Sequence, residues 1–194
     1  METRRTRVLS FPPQVAADCR VLILGTVPSR RSLELRQSYG HAQNFFWPLM
    51  GELFDAGPEL EYRDRIARLH ARGVGIWDVL KQCERPGSLD SSIVPESEVP
   101  NAIPQLLRTH ATIRVIALNG GKAQQAFRRH IAPQLDAALR TRIEILALPS
   151  TSPANASIPR DVKLDRWRVL LDFAPATART RRRNQTGARM PRAP

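Results

Sequence analysis

The sequence predicts an α/β fold, a three-layer α/β/α sandwich with a central four-stranded parallel sheet. Four short apolar runs are typical of strands that are buried on both faces, and segments with helical spacing of apolar residues lie between them. Strands that alternate with helices form parallel sheets, because each helix carries the chain back across one face of the sheet. The predicted strands are residues 20–25, 73–80, 112–118 and 142–148, and the predicted helices are residues 44–54, 59–71, 100–109, 122–131 and 163–173.

The first predicted strand is preceded by an extended lead-in and followed by a tight loop. Residues 1–18 are basic and then contain Phe11-Pro12-Pro13, a sequence that favours extended backbone. The strand ends at Gly25, and the loop runs from Thr26 to Ser29. The last residue of this loop, or Ser32, can cap the segment that follows.

Glycine, proline and hydroxyl residues follow the later strands. The third strand ends in Asn119-Gly120-Gly121, and the fourth is followed by residues 149–155, PSTSPAN. In a parallel sheet such loops open at one edge, which is where open α/β folds bind ligands. Asp78 lies near the end of the second strand, and the polar loop 83–93 after it is too long for a simple turn. We therefore treat that loop as a candidate functional segment.

One domain is expected over residues 1–173. The chain has 194 residues, of which 42% are hydrophobic and 25% charged, so it is long enough to bury a full core. Residues 174–194 are rich in Arg, Pro and Thr with almost nothing apolar. That composition predicts a disordered basic tail.

The charge of the chain indicates a polyanionic partner. The formal net charge is +12, and 27 of the 30 basic residues are Arg, the side chain best suited to bidentate contacts with phosphate. Nucleic acid is the natural candidate. The alternative is that Arg-rich codon usage and the tail account for part of the charge.

The cysteine and histidine positions and the hydropathy argue against a disulfide-rich protein, a metal-binding protein and a membrane protein. Cys19 and Cys83 do not resemble a disulfide framework, and the four histidines show no metal-ligand spacing, so we expect no metal. No run is long enough to cross a membrane, and the first ten residues lack the apolar segment of a signal peptide. A soluble, cytoplasmic monomer without a cofactor is expected.

The stretch SYGHAQNFFW, residues 38–47, gathers stacking surface and hydrogen-bonding groups. Tyr39 offers an aromatic face, and Asn44 places a carboxamide, both donor and acceptor, at the start of a predicted helix. One interpretation is the wall of a pocket for a flat polar ring such as a nucleobase. The other is an ordinary helix start, in which Asn44 is a cap and the aromatic residues are core.

The strand-end loops allow similar pairs of interpretations. Asn119 can contact the edge of a base, or it can cap the helix that starts beside it. The hydroxyls and amides of residues 150–153 suit a phosphodiester, but they also suit an ordinary Ser/Pro loop. Asp78 can activate water, or it can be a structural Asp at a strand end. The sequence lacks a P-loop, a GxGxxG fingerprint and a nucleophile elbow.

Several spaced motifs resemble those of the uracil-DNA glycosylase superfamily, and within it the hypoxanthine (deoxyinosine) DNA glycosylases. The resemblance covers about residues 8–172, and the motifs occur in the same order as in that family. They are LILGTVPS at 22–29, YGHAQNFFW at 39–47, GVGIWDVL at 73–80 followed by CERPGSLDSSI, ALNGG at 117–121 and SPAN at 152–155.

The resemblance implies a repair enzyme that flips a deaminated base from DNA and hydrolyses its N-glycosidic bond without metal or cofactor. Hypoxanthine is the first expectation and uracil the second. The implied catalytic residues are Asn44 and Asn119. The implied base-binding residues are Gly25, Thr26, Tyr39, His41, Phe45 and Asn119, and the implied DNA-binding residues are Pro28, Ser29, Ser150, Ser152, Pro153, Ala154 and Asn155.

Two residues depart from the family pattern. Val27 stands where relatives in the superfamily carry the Asp or Asn that activates water, and Ala42 replaces a Pro that stiffens the second motif. Because Val27 cannot bind water, we expect most of the rate to come from donors that hold the departing base anion. Two alternatives stay open: a glycosylase for uracil or mismatched pyrimidines, and a nucleic-acid-binding module with weak or no catalysis.

Overall fold

Two β-sheets organise the computed structural model, which describes residues 7–87 and 89–175. The larger sheet has four strands in the order β3-β2-β6-β7, and every neighbouring pair in it is parallel. This confirms the predicted fold class. In chain order the strands are β1 (Arg7–Leu9), β2 (Val21–Gly25), β3 (Val74–Asp78), β4 (Leu80–Glu84), β5 (Val99–Pro100), β6 (Val115–Asn119) and β7 (Glu144–Leu148).

The central strand β2 is an uninterrupted apolar run because both of its faces are buried. Side chains alternate between the two faces of a strand. Leu22 and Leu24 therefore pack into one hydrophobic cluster, and Val21 and Ile23 pack into a second cluster on the opposite face. All four side chains are fully buried. Both faces of the sheet are covered, as the sandwich architecture requires.

The five predicted helices lie close to their expected positions, whereas α1 and α6 were not predicted. Helices α4 and α5 contribute to the cluster around Leu22, whereas α2, α3 and α7 contribute to the cluster around Ile23. Ser29 caps α1, because its Oγ accepts the backbone N–H of Ser32 at 3.1 Å. The helices are α1 (Arg30–Leu35), α2 (Phe46–Phe54), α3 (Tyr62–Ala71), α4 (Ile103–Thr109), α5 (Gly121–Ala126), α6 (Ala137–Arg142) and α7 (Arg160–Trp167).

The smaller sheet was not predicted. It is antiparallel, in the order β1-β4-β5, and it draws its first strand from the lead-in. The predicted strand 73–80 is in fact two segments, because β3 ends at Asp78 and β4 begins at Leu80. Cys83 lies in β4 opposite Val8, so the start of the predicted loop 83–93 is strand rather than loop. Strands of two or three residues leave too little periodicity to be recognised.

The order of the strands creates a crevice between β2 and β6. From β2 the chain passes to β3 on one side, whereas β6 pairs with β2 on the other side and is followed by β7 beyond it. The loops after β2 and β6 therefore diverge at their carboxyl ends, Gly25 and Asn119. This is a topological switch point, where open parallel sheets bind ligands.

Two expectations from the sequence concern other parts of the chain. Apart from Ala174 and Pro175, the predicted basic tail at 174–194 lies outside the described residues. Within the described ranges, none of the helices combines the length and apolar character needed to cross a membrane.

Candidate active site

A cavity of about 540 Å³ opens at the carboxyl edge of the parallel sheet. Its walls come from the ends of β2, β3 and β6, from the loop after β7, and from two further segments around Tyr39 and Asp90. The lining residues are Gly25, Thr26, Val27, Pro28, Ser29, Ser32, Ser38, Tyr39, Asn44, Trp77, Asp78, Arg85, Leu89, Asp90, Ser91, Asn119, Gly120, Gly121, Lys122, Ser150, Thr151, Ser152, Ala154 and Asn155.

Most of the predicted site residues meet at this cavity. Those that line it are Gly25, Thr26, Pro28, Ser29, Tyr39, Asn44, Asn119, Ser150, Ser152, Ala154 and Asn155. Three others do not. His41 is exposed, and its Nδ1 accepts the backbone N–H of Gln43. Phe45 packs against the core, with the Arg160 guanidinium 5.3 Å from the centre of its ring, and Pro153 is exposed on the loop after β7.

Tyr39 is held in an unusual backbone conformation. Its φ of 56° lies in the left-handed region, which is uncommon for an aromatic residue and points to a local constraint. The ring stacks on Phe46 with centroids 3.7 Å apart. The hydroxyl is buried and makes no hydrogen bond to the described residues, although the side chain of Asn119 is close to it. Burial and the nearby charge of Asp78 raise the pKa of Tyr39.

Asn44 lies both at the entry to α2 and on the cavity wall. Its Oδ1 accepts the backbone N–H of Phe46 at 3.0 Å, so the side chain shapes the entry into α2. The same residue borders the cavity. Its Nδ2 group carries the hydrogens that the side chain can offer to a ligand. The N-cap of α2 is Phe45 rather than Asn44, and the turn that the Asn44 side chain forms leaves this residue on the cavity wall.

Asn119 does not cap the helix that follows it. The N-terminal cap of α5 is Gly120, and no side chain caps this helix. Instead, Asn119 Nδ2 donates to Thr151 Oγ1, and Thr151 N–H donates to Asn119 Oδ1, both at 3.0 Å. The cap alternative is therefore wrong, and Asn119 ties the end of β6 to the loop after β7.

The loop after β7 is anchored at both ends. Trp167 Nε1 donates to the carbonyl of Pro149 at 3.0 Å, and Lys163 Nζ donates to the carbonyl of Asn155 at 2.6 Å. Between these anchors, Thr151 accepts the backbone N–H of Phe45. The loop is therefore fixed to both α7 and the start of α2.

Asp78 places a carboxylate on the cavity wall. Its Oδ2 accepts the hydroxyl of Ser10 at 3.1 Å, and its backbone carbonyl accepts Asn101 Nδ2 at 2.9 Å. Burial raises the pKa of Asp78 to about 7, the Ser10 hydrogen bond lowers it, and the charges of Asp90 and Arg85 act in opposite directions. A carboxyl in such surroundings changes protonation near neutral pH.

Arg85 is a cavity residue that sequence reasoning missed, and Asp90 lies beside it. The Arg85 side chain is 1% exposed, its Nη2 donates to the Pro28 carbonyl at 2.6 Å, and its Nη1 lies 3.7 Å from Asp90 Oδ1. Burial raises the pKa of Asp90, although a hydrogen bond with the Thr26 hydroxyl and the charge of Arg85 act to lower it. The length of the loop 83–93 marked this segment in the sequence, but it did not distinguish Arg85.

Lys122 places a second positive charge on the cavity wall. Its Nζ donates to Glu98 Oε1 at 2.6 Å, and His130 Nε2 lies 2.7 Å from Glu98 Oε2. Burial alone would raise the pKa of Glu98, but the hydrogen bonds and charges of these two partners outweigh it and lower the pKa. Glu98 therefore remains charged and holds Lys122 in place.

A parallel sheet with a crevice at its switch point, lined by carboxamides, hydroxyls and an aromatic ring, is an arrangement typical of ligand-binding α/β enzymes. A profile of the Uracil DNA glycosylase superfamily matches residues 12–171. The chain belongs to this superfamily.

The chain is also similar to proteins of two Methanosarcina species. The chain is 33% identical over 116 residues to a hypoxanthine DNA glycosylase of Methanosarcina barkeri, and 35% identical over 114 residues to one of Methanosarcina acetivorans. Each match covers 58% of this chain and 71% of the relative. A solution NMR structure from M. acetivorans, described as a candidate uracil DNA glycosylase, superposes with a TM-score of 0.70 at 29% identity. That match covers 87% of this chain and 99% of the other.

Proposed function

We propose that this protein is a DNA glycosylase that removes hypoxanthine from DNA and leaves an abasic site. The observation that carries the proposal is the cavity at the switch point, where Tyr39, Asn44 and Asn119 converge. Enzymes that act on a base must extrude it from the helix and hold it in a shaped pocket. The cavity, at about 540 Å³, has room for a flipped purine. The names of the two Methanosarcina relatives support hypoxanthine as the substrate.

The proposed chemistry depends on the hydrogen-bond donors and positive charges that the cavity walls provide. Breaking the N-glycosidic bond leaves negative charge on the base, so donors already in place stabilise the transition state without reorganisation. Asn44 and Asn119 supply amide hydrogens, and Thr26 lies at the end of β2 beside them. Arg85 and Lys122 add positive charge to the same walls. Tyr39, fixed by its stack on Phe46, supplies the rigid aromatic surface.

Uracil is the second candidate substrate, because the superfamily profile that matches most of the chain carries its name. A purine and a pyrimidine differ in size and in the edge that they present. A direct comparison of substrates is therefore needed to separate the two.

The test uses the full chain with duplex and single-stranded oligonucleotides. Each contains hypoxanthine, uracil, xanthine or a mismatched thymine at one position. Alkali then breaks the strand wherever a base has been released. We expect the fastest cleavage at hypoxanthine. Cleavage of uracil alone would favour the second candidate, and a folded protein that binds these oligonucleotides but yields no alkali-labile site would identify a binding module instead.

A further inference from the structure

We propose that Asp78 is the general base that takes the proton from the attacking water. The inference rests on the proposed glycosylase function. It names a residue for the activation of water, which the loop after β2 cannot perform. Val27, in the loop after β2, is 8% exposed and packs in the hydrophobic core. An apolar side chain in that position neither orients nor deprotonates water. The step therefore needs a group from elsewhere on the cavity wall.

The end of β2 leaves a space that Asp78 and Tyr39 share. A Cβ atom built on Gly25 would lie 2.7 Å from Asp78 Oδ1 and 3.0 Å from the Tyr39 hydroxyl. Any larger residue would crowd both oxygens, so glycine leaves room beside them. The Tyr39 hydroxyl is buried and makes no hydrogen bond of normal geometry among the described residues, although the side chain of Asn119 lies close enough to lower its pKa. A buried hydroxyl without a well-formed hydrogen bond is suited to a ligand or water as an additional partner.

The two oxygens have complementary roles toward such a water. Asp78 Oδ1 can accept a hydrogen bond from it, and the Tyr39 hydroxyl can donate one. The other carboxylate oxygen is already held by Ser10, and the backbone of the same residue is held by Asn101. The carboxylate is therefore fixed in orientation before substrate enters, as a general base must be.

The electrostatic surroundings give this carboxylate a suitable basicity. The groups that face it are Tyr39, Asp90 and Arg85, with Ser10 as hydrogen-bond donor. Burial raises the pKa of Asp78 to about 7, the Ser10 hydrogen bond lowers it, Asp90 raises it and Arg85 lowers it. A general base works best when its pKa lies near the working pH.

The step balances in atoms and charge. The bond between C1′ of the sugar and the base nitrogen breaks, and its electron pair leaves with the base. The water oxygen forms a bond to C1′, and one of its protons passes to the Asp78 carboxylate. The protonated carboxyl then returns this proton to the departing base anion or to solvent. The net result is hydrolysis, with Asp78 regenerated.

The test is a set of single-turnover rates against pH on the hypoxanthine oligonucleotide. For the wild-type chain, we expect the rate to fall about tenfold per pH unit below about pH 7, where Asp78 becomes protonated. Asp78→Asn should be at least about 100-fold slower near pH 8 and should lose this acidic limb. A folded Asp78→Asn protein with an unchanged rate or an unchanged limb overturns the proposal.

Variants of two neighbouring residues show whether the fall in rate at low pH, the acidic limb, is caused by Asp78, even if Asp78→Asn fails to fold. Ser10→Ala removes the hydrogen bond that lowers the pKa of Asp78, so the limb should move to higher pH. Asp90→Asn removes a negative charge, so the limb should move to lower pH. Limbs that stay in place in both variants contradict the proposal. Cleavage by the wild-type chain tests the glycosylase function separately, since it does not depend on which residue accepts the proton.

Discussion

Asn119 and Thr151 are joined by two hydrogen bonds of 3.0 Å, one in each direction. Both side chains are buried, with Asn119 8% exposed and Thr151 1% exposed. The pair connects the end of β6 to the loop after β7 and brings the proposed base-contacting and DNA-contacting elements together. A residue that contacts a base can therefore also be one that builds the pocket, and the two roles must be separated by experiment.

The first prediction separates these two roles of Asn119. Asn119→Ala should lower the free energy of unfolding by about 1–3 kcal/mol, because a buried partner is left unsatisfied. It should also slow excision by about 100-fold through the lost donor. Thr151→Val is the matched control, since it removes the Thr151 hydroxyl while Asn119 stays intact. Equal losses of excision in both variants would show that Asn119 only holds the loop. Denaturant melts and single-turnover rates provide the two measurements.

The second prediction concerns Asn44. Asn44→Asp keeps an oxygen that can accept the Phe46 N–H, but it has no amide hydrogens to offer the substrate. We expect stability close to that of the wild type and excision slower by about 100-fold. Asn44→Ala should lose a similar factor in rate and, in addition, about 1 kcal/mol of stability through the lost turn contact. Gln43→Ala, at an exposed neighbouring position outside the cavity, is the control. An Asn44→Asp enzyme with full activity would refute the role.

The third prediction tests the close approach of β6 to the loop after β7. Gly120 has a φ of 93°, and a Cβ built there would lie 2.6 Å from the Cβ of Ser150. Gly120→Ala should therefore destabilise the fold by about 2 kcal/mol or more, from backbone strain and steric overlap. At Gly121 a Cβ would meet nothing within 4 Å. Gly121→Ala should be neutral or raise stability by about 0.5 kcal/mol at the start of α5. Thermal melts of the pair provide the comparison.

Much of this architecture was predictable because it depends on local patterns. The run from Val21 to Gly25 had to be a strand buried on both faces, and parallel order then placed Asn119 and the loop after β7 at the same edge. The smaller sheet was not predictable, since β1 has three residues and pairs with a strand more than seventy positions away. Arg85 was missed for a related reason. Its burial depends on Pro28, a contact that no sequence periodicity records.

The fourth prediction concerns the charge of the chain. If arginine–phosphate contacts supply most of the affinity, the dissociation constant for duplex DNA should rise steeply and linearly with salt on logarithmic axes. Residues 176–194 contain six arginines. A chain that ends at Pro175 should show a shallower salt slope and weaker binding. Its single-turnover rate at saturating protein should equal that of the full chain. A lower rate at saturation would place the last nineteen residues in the catalytic site, and binding that ignores salt would argue against phosphate contacts.

The fifth prediction concerns Glu98, whose side chain is 1% exposed and accepts hydrogen bonds from Lys122 and His130. Glu98→Gln removes the counter-charge of Lys122 and the carboxylate partner of His130, and it should cost on the order of 3 kcal/mol near pH 7. The folded chain lowers the pKa of Glu98 below its ordinary value of 4.5, so this contribution is fully present above about that pH and is lost as the pH falls through the folded-state pKa. Melts of wild type and variant should therefore converge on acidification. Glu96→Gln, at an exposed position two residues earlier, should show little difference from wild type at any pH. A gap between wild type and Glu98→Gln that stays constant on acidification would mean that the Glu98 charge does not supply the stability.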